Sequence, residues 1–156
     1  MTRIIVLTSG KGGVGKSSMS INIGYALAKK GERVCLIDAD FGLKNLDVMM
    51  GLENRVIYDL KDVIQSKCTL QQILVKDKRM DSLFLLPACK SLSLENINVE
   101  YMIKMIEELK KDFDYILIDS PAGIEKGFQY ASGLSNEAII VVTLDIVSLR
   151  DADRVV

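Results

Sequence analysis

Eight residues near the amino terminus have the types and spacing of a loop that binds phosphate groups. The sequence GKGGVGKS at positions 10–17 matches the pattern GxxxxGK[ST], and it lies between an apolar run and a segment of helical composition. Glycines let backbone N–H groups close around a polyphosphate, and a helix amino terminus adds partial positive charge. The pattern predicts a nucleotide site formed by Gly10, Lys11, Gly12, Gly13, Val14, Gly15, Lys16, Ser17 and Ser18.

Three side chains of this loop have predicted roles in phosphate chemistry. Lys16 is expected to bridge the β- and γ-phosphates of the nucleotide, and the Ser17 hydroxyl is expected to ligate Mg²⁺. Ser18 lies in the first turn of the following helix, where it can meet the α-phosphate. The alternative is a glycine-rich turn with a solvated lysine, and it is disfavoured because eight residues match in register and in context.

Three aspartates that follow apolar runs are candidates for the metal and the chemistry. Asp38 and Asp40 follow the second run and Asp119 follows the fourth, and α/β proteins place ligands at such strand ends. Asp119 is interpreted as the Walker B carboxylate, acting on Mg²⁺ through water; the alternative is a cap of the next helix. For Asp38 and Asp40 the alternative is a solvated acidic turn. Gly123 is a candidate switch hinge or γ-phosphate contact.

The elements that must position these residues follow from the apolar pattern. Runs of strand length without polar alternation are typical of strands buried on both faces of a parallel sheet. A helix is predicted at 16–30, closed by Gly31, and together with the strands on either side it makes a βαβ unit. The five predicted strands are 4–8, 34–37, 83–86, 115–118 and 138–142.

Two further helices are predicted, one before the third strand and one between the third and fourth strands. Thr69 and Gln72 have the spacing of a capping box, which predicts a short helix running toward Lys76. A second helix, at 101–111, has one apolar face and leads directly into the fourth strand, so covering the sheet is favoured over lying on a membrane. The apolar face of this helix comprises Met102, Met105, Ile106 and Leu109. One α/β domain spanning residues 1–156 is the economical interpretation of the whole pattern.

Composition excludes several classes of function. The chain has 156 residues, 49% of them hydrophobic, and 20 Lys and Arg against 21 Asp and Glu, so no nucleic-acid partner is expected. It has no histidine, and its three cysteines form no CxxC pair, which disfavours zinc sites and Ser-His-Asp catalysis. Without an export signal or an apolar stretch approaching ~20 residues, a soluble cytoplasmic chain is expected.

Seven collinear segments carry a family pattern: TSGKGGVGKS, DADFGLKNLDVMMG, NRVIYD, LVKDKR, LPA, DSPAGIE and RDADR. Together they resemble the MinD family, a branch of the deviant Walker A P-loop ATPases that also include ParA and the nitrogenase iron protein. The run after Asp119 distinguishes the chain from the related flagellar-number ATPase, and that run with the segment at 54–59 distinguishes it from ParA. The run 143–145, Thr-Leu-Asp, departs from the usual Thr-Pro-Glu.

The resemblance implies a fold, a reaction and roles for individual residues. The fold is a three-layer α/β/α P-loop NTPase with a mainly parallel sheet, whose strands run in the order third, second, fourth, first, fifth. The reaction is Mg²⁺-dependent hydrolysis of ATP to ADP and phosphate, with ATP held between two subunits that each offer Lys11 to the other's phosphates. Asp38 would support the Mg²⁺ shell, and Asp40 would orient and deprotonate the attacking water.

The resemblance also implies partners and a location. These are an ATP-dependent homodimer, a MinC-like septum inhibitor and a MinE-like or other topological factor, on the inner face of the cell membrane. Because family members continue to an adenine-contacting loop and a C-terminal amphipathic membrane helix, the chain is expected to be an N-terminal part. The alternatives are a truncated, non-catalytic module that binds MinC-like partners, or an ATPase of the flagellar-number or ParA type.

Overall fold

In the described part of the chain, six strands form one sheet, and helices connect all consecutive strands except β3 and β4. The computed structural model describes residues 1–40, 46–89, 98–123 and 126–156. The strands are β1 Arg3–Thr8, β2 Val34–Asp38, β3 Val75–Lys76, β4 Leu83–Leu86, β5 Tyr115–Asp119 and β6 Glu137–Ile140. The helices are α1 Lys16–Lys29, α2 Leu46–Met49, α3 Leu60–Ile64, α4 Leu70–Ile73, α5 Val99–Leu109, α6 Lys126–Gly133 and α7 Ile146–Asp153, with a 3₁₀ turn at Glu53–Arg55.

The strand order is β3-β4-β2-β5-β1-β6. All neighbours are parallel except β3 and β4, which are antiparallel. The order predicted for the five longer strands is therefore confirmed. Because β5 inserts between β1 and β2, the loops that follow these three strands emerge side by side at one edge of the sheet.

Alternate residues of the strands build two cores, one on each face. In β1, Ile4 and Val6 pack with the cluster beneath α5, whereas Ile5 and Leu7 pack with the cluster beneath α1. All four are nearly inaccessible to solvent, as expected for a parallel strand covered on both sides. The predicted apolar face of α5 is confirmed, since all four of its residues are buried.

Local chemistry explains where the helices begin and end. Gly31, at φ +92°, lies just beyond α1, in the left-handed conformation that suits a glycine after a helix. The capping box predicted at Thr69 and Gln72 opens α4. An equivalent box at Asp59 and Asp62 opens α3. These contacts satisfy N–H groups that the first helical turn leaves unpaired.

Two strands differ from the sequence prediction. The segment leading to Lys76 is not all helix, because α4 ends at Ile73 and β3 follows, pairing antiparallel with β4. The fifth predicted strand is shorter, because β6 ends at Ile140 opposite Thr8, the last residue of β1. Among the described strands, β6 pairs with β1 alone, so its backbone pairing ends where β1 ends. Among the described residues, no helix is long and apolar enough to cross a membrane.

Candidate nucleotide-binding site

The sheet brings the predicted site residues to its carboxyl edge. Leu7 of β1 and Asp38 of β2 are both in register with Asp119 of β5. The glycine-rich loop leaves β1 immediately after this level and leads into α1. The loop therefore lies next to Asp119, with Asp38 one strand further away, as predicted.

The loop has an open, glycine-lined conformation. Gly13 and Gly15 have φ values of +78° and +91°, which other residues adopt only with strain. Apart from the glycine itself and its chain neighbours, no heavy atom of the described residues lies within 4 Å of the position a Cβ would take on Gly12, Gly13 or Gly15. This space belongs to a cleft of about 330 Å³, lined by Ser9, Gly12, Gly13, Gly15, Lys16, Ser17, Ser18, Asp40, Met49 and Ala122.

Asp119 is the centre of a buried polar cluster at the base of this cleft. Its Oδ1 accepts hydrogen bonds from Lys16 Nζ at 2.7 Å and from Ser20 Oγ at 3.0 Å. Its Oδ2 accepts from Ser17 Oγ at 2.6 Å. Asp119 is 2% exposed and Lys16 is 9% exposed, so the ion pair is shielded from water and its partners are strongly constrained.

Asp38 lies beside this cluster and has a different environment. Its Oδ1 accepts from the backbone N–H of Asp40 at 3.1 Å, and its Oδ2 accepts from that of Leu46 at 3.3 Å. Burial raises the pKa of Asp38 to about 7. The two N–H donors oppose this shift, while the negative charge of nearby Asp119 adds to it. Asp38 is thus a carboxyl group that a cation would ionise.

Asp40 and Gly123 lie at the cleft in different ways. Asp40 is half-buried and contributes to the cleft lining. Gly123, at φ +88°, donates its backbone N–H to the carbonyl oxygen of Ser9 at 2.9 Å, which joins the loop after β5 to the phosphate loop. Residues 41–45 and 124–125, parts of two motifs that resemble the family, lie outside the described residues.

Lys11 points away from the cleft toward α7. Its Nζ lies 3.8 Å from Oδ2 of Asp145, and both side chains are partly exposed. Asp145 caps α7 by accepting from the backbone N–H of Ser148 at 2.8 Å. The hydroxyl of Thr143 donates to Asp145 at 2.5 Å. The run 143–145, where the sequence departs from the family pattern, therefore forms a capped helix start that faces the extra lysine.

Gly10 and Val14 shape the loop without lining the cleft. A Cβ on Gly10 would lie 2.3 Å from the backbone carbonyl carbon of Asp151, so glycine is required where α7 crosses the loop. Val14 is half-buried. The loop is thus packed against α7 on one side and open to the cleft on the other.

The donor set fits a magnesium nucleotide. The described residues contain no group of three or more His, Cys, Asp and Glu side chains that could hold a metal ion alone. Mg²⁺ bound through phosphate oxygens and water needs fewer protein ligands. The Ser17 hydroxyl with Asp119 and Asp38 behind it matches that requirement, and the open space at the glycines fits phosphate groups.

Sequence reasoning missed three contributors to the site. Ser20 contacts Asp119 directly, and its signal was its position four residues after Lys16, on the same face of α1. Met49 lines the cleft from α2, and nothing in its local sequence indicates this. The close contact of α7 with Gly10 joins residues 141 positions apart, so local sequence could not reveal it.

Comparison with known proteins identifies the family. The family described as "AAA domain" matches residues 2–156. The chain belongs to this family. It is 55% identical over 156 residues to the septum site-determining protein MinD of Synechocystis, covering 100% of this chain and 59% of that protein. The chain thus spans less than two thirds of the length of this relative.

Solved structures agree with this assignment. The structure titled as the MinC:MinD cell division complex of Aquifex aeolicus has a TM-score of 0.88 and 53% identity, covering 99% of this chain and 62% of that one. MinD of Pyrococcus horikoshii complexed with Mg-ADP has a TM-score of 0.82 and 32% identity, covering 97% and 62%. The resemblance to MinD and the predicted P-loop NTPase fold are confirmed.

Proposed function

We propose that the chain carries the Mg²⁺-dependent ATP-binding and ATP-hydrolysing site of a MinD-type switch. The observation that carries this proposal is the buried Asp119 carboxylate, contacted by Lys16 at 2.7 Å and Ser17 at 2.6 Å beneath a glycine-lined cleft. A lysine and a hydroxyl held at a helix amino terminus recognise phosphate and Mg²⁺. The Mg-ADP complex of the Pyrococcus horikoshii relative supports the same ligand here.

The side chains of this chain then have distinct tasks. Lys16 would leave Asp119 to hold the β- and γ-phosphates, and the Ser17 hydroxyl would hold Mg²⁺. Asp119 and Asp38 would help to hold the hydrated Mg²⁺, and Asp40, which lines the cleft, would position and deprotonate the attacking water. Bound Mg²⁺ supplies charge compensation as negative charge shifts between the phosphate oxygens.

Nucleotide binding by the 156-residue chain tests this proposal. Titration with a fluorescent ATP analogue, with Mg²⁺ and with EDTA, should show saturable binding that Mg²⁺ tightens. Lys16→Ala should weaken binding by roughly tenfold or more, since a charge-assisted hydrogen bond contributes about 1.5–3 kcal/mol. Lys29→Ala, which removes an exposed lysine at the other end of α1, is the matched control. Equal binding by both variants would contradict the proposed site.

We extend the proposal to an ATP-dependent homodimer. The Lys11 side chain is partly exposed, and its Nζ lies 3.8 Å from Oδ2 of Asp145. Because it is exposed, it can contact a nucleotide held by a second copy. In a longer protein containing this chain, Lys11→Ala should leave monomer binding largely intact and abolish the ATP-dependent dimer. Light scattering in ATP and Mg²⁺ measures this directly. A normal dimer of the variant would refute the role.

The proposed biological role is regulation of division-septum placement. The Aquifex aeolicus relative was solved as a MinC:MinD complex, which supports a MinC-like inhibitor as partner. We include a MinE-like or other topological factor and peripheral membrane association of the whole protein in this proposal. Co-sedimentation of the whole protein with anionic vesicles, with ATP and with ADP, tests the membrane part. ATP-independent recruitment would contradict the switch.

A further inference from the structure

We propose that Ser20 is a positioning residue that holds the Asp119 carboxylate in place once Lys16 and Ser17 have turned to the nucleotide. This inference rests on the proposed function. Ser20 lies in the second turn of α1 and is fully inaccessible to solvent. Its Oγ lies 3.0 Å from Oδ1 of Asp119, the same oxygen that Lys16 contacts.

The hydrogen bonds of the cluster show why a third donor matters. Among the described residues, three side chains donate to Asp119, and two of them, Lys16 and Ser17, are the groups that phosphate and Mg²⁺ require. When those two exchange partners, Ser20 is the side-chain donor left on Oδ1. At 2% exposure Asp119 is screened from solvent, so water cannot easily replace a lost donor.

The alternative role for Ser20 is a local bond within the helix. Its Oγ also lies 3.2 Å from the carbonyl oxygen of Lys16, one turn earlier, a contact that serines often make in helices. A hydroxyl has one proton to donate. The bond to the carboxylate is shorter and charge-assisted, so it is the favoured one. With Oδ1 held by Ser20, Oδ2 is directed toward the Ser17 side, where the metal would lie.

The test is the Mg²⁺ dependence of nucleotide binding, compared with binding in EDTA. Ser20→Ala should leave EDTA binding of the fluorescent ATP analogue within about twofold. It should raise the Mg²⁺ concentration needed for tight binding by about 10–100-fold, the usual effect of losing a group that orients a metal's surroundings. Ser20→Thr, which restores the hydroxyl, should recover most of the loss. Ser82→Ala removes another serine hydroxyl that contacts α1, at Ala28, and should behave as wild type.

The outcomes separate this inference from the proposed function. If the wild-type chain shows no Mg²⁺-dependent binding, the proposed function fails and this inference fails with it. If wild type binds normally and Ser20→Ala has the same Mg²⁺ dependence, only the positioning role is refuted. A loss of affinity that is equal in EDTA and in Mg²⁺ would show a structural role and also refute it. Should Ser20→Ala not fold, Ser20→Cys, a near-isosteric weak donor, must show the same selective loss.

Discussion

The raised pKa of Asp38 makes the stability of the ligand-free chain depend on pH in a defined direction. The group ionises near pH 3.8 when unfolded and, because of burial, near pH 7 when folded. The stabilisation of the folded chain by protonated Asp38 is therefore fully present below pH 3.8 and is lost as pH rises through 7. A difference of about three pH units corresponds to about 4 kcal/mol of unfolding free energy.

Asp38→Asn removes this titration while keeping the shape of the side chain. The asparagine oxygen can still accept one of the two backbone N–H groups, those of Asp40 and Leu46, but its NH₂ cannot accept the other. That loss costs about 1–3 kcal/mol. The variant should therefore be less stable than wild type at pH 4 and more stable at pH 8, with the difference changing by about 4 kcal/mol.

Urea unfolding at pH 4, 5, 6, 7 and 8 in EDTA measures this change. Asp77→Asn is the matched control. Burial alone would raise the pKa of Asp77, but hydrogen bonds from Tyr25 and from the backbone of Arg79 hold it below its usual value. The stabilisation of the folded chain by ionised Asp77 is lost only as pH falls below the pKa of the unfolded state. The free energy of unfolding of Asp77→Asn should therefore lie below that of wild type by a constant amount from pH 5 to 8. A difference between Asp38→Asn and wild type that does not vary with pH would refute the reasoning.

Three further substitutions have definite expected outcomes. Asp40→Ala should retain ATP binding but lower kcat by about 10²-fold or more, measured as phosphate release by a whole, active protein. Lys16→Ala should lower the free energy of unfolding, measured by denaturant titration, by about 3–5 kcal/mol, because the buried carboxylate of Asp119 loses its charge partner. Gly24→Ala should lower it by about 1–2 kcal/mol, because the new Cβ lies 3.0 Å from Leu36 Cδ2 and 3.3 Å from Leu83 Cδ1.

Each of these outcomes can be contradicted. Normal turnover by Asp40→Ala with intact binding would remove Asp40 from the chemistry. Wild-type stability of Lys16→Ala would mean that Asp119 readily finds another partner or a proton. Gly24→Ala would normally gain about 1 kcal/mol from helix propensity. A net gain of that size would show that the two fully buried leucines can move aside.

The sequence predicted those parts of the site whose signals are local. The phosphate loop is a contiguous pattern, and it lies between β1 and α1 as predicted, with α1 starting at Lys16. Its phosphate-binding role stays a prediction. The contact between Lys16 and Asp119, 103 residues apart, needed the strand order, which came from the family resemblance. Ser20 was missed because its sequence signal, a position one helical turn after Lys16, is not distinctive until its partner Asp119 is known. β3 was missed because two residues cannot display an alternation.

The close approach of Asp38 and Asp119 links the fold to the chemistry of the site. Because β5 inserts beside β2, the two carboxylates end adjacent strands in register, and both are buried. Among the described residues, Asp119 has a lysine partner, whereas Asp38 accepts from backbone N–H groups. Burial, with a smaller contribution from the repulsion of Asp119, raises the pKa of Asp38 to about 7. A divalent cation placed between the loop and these strand ends would favour the ionised form of Asp38, so its binding would release a proton. The same strand order that assembles the site therefore predicts that its affinity for a divalent cation would increase as pH rises toward 7.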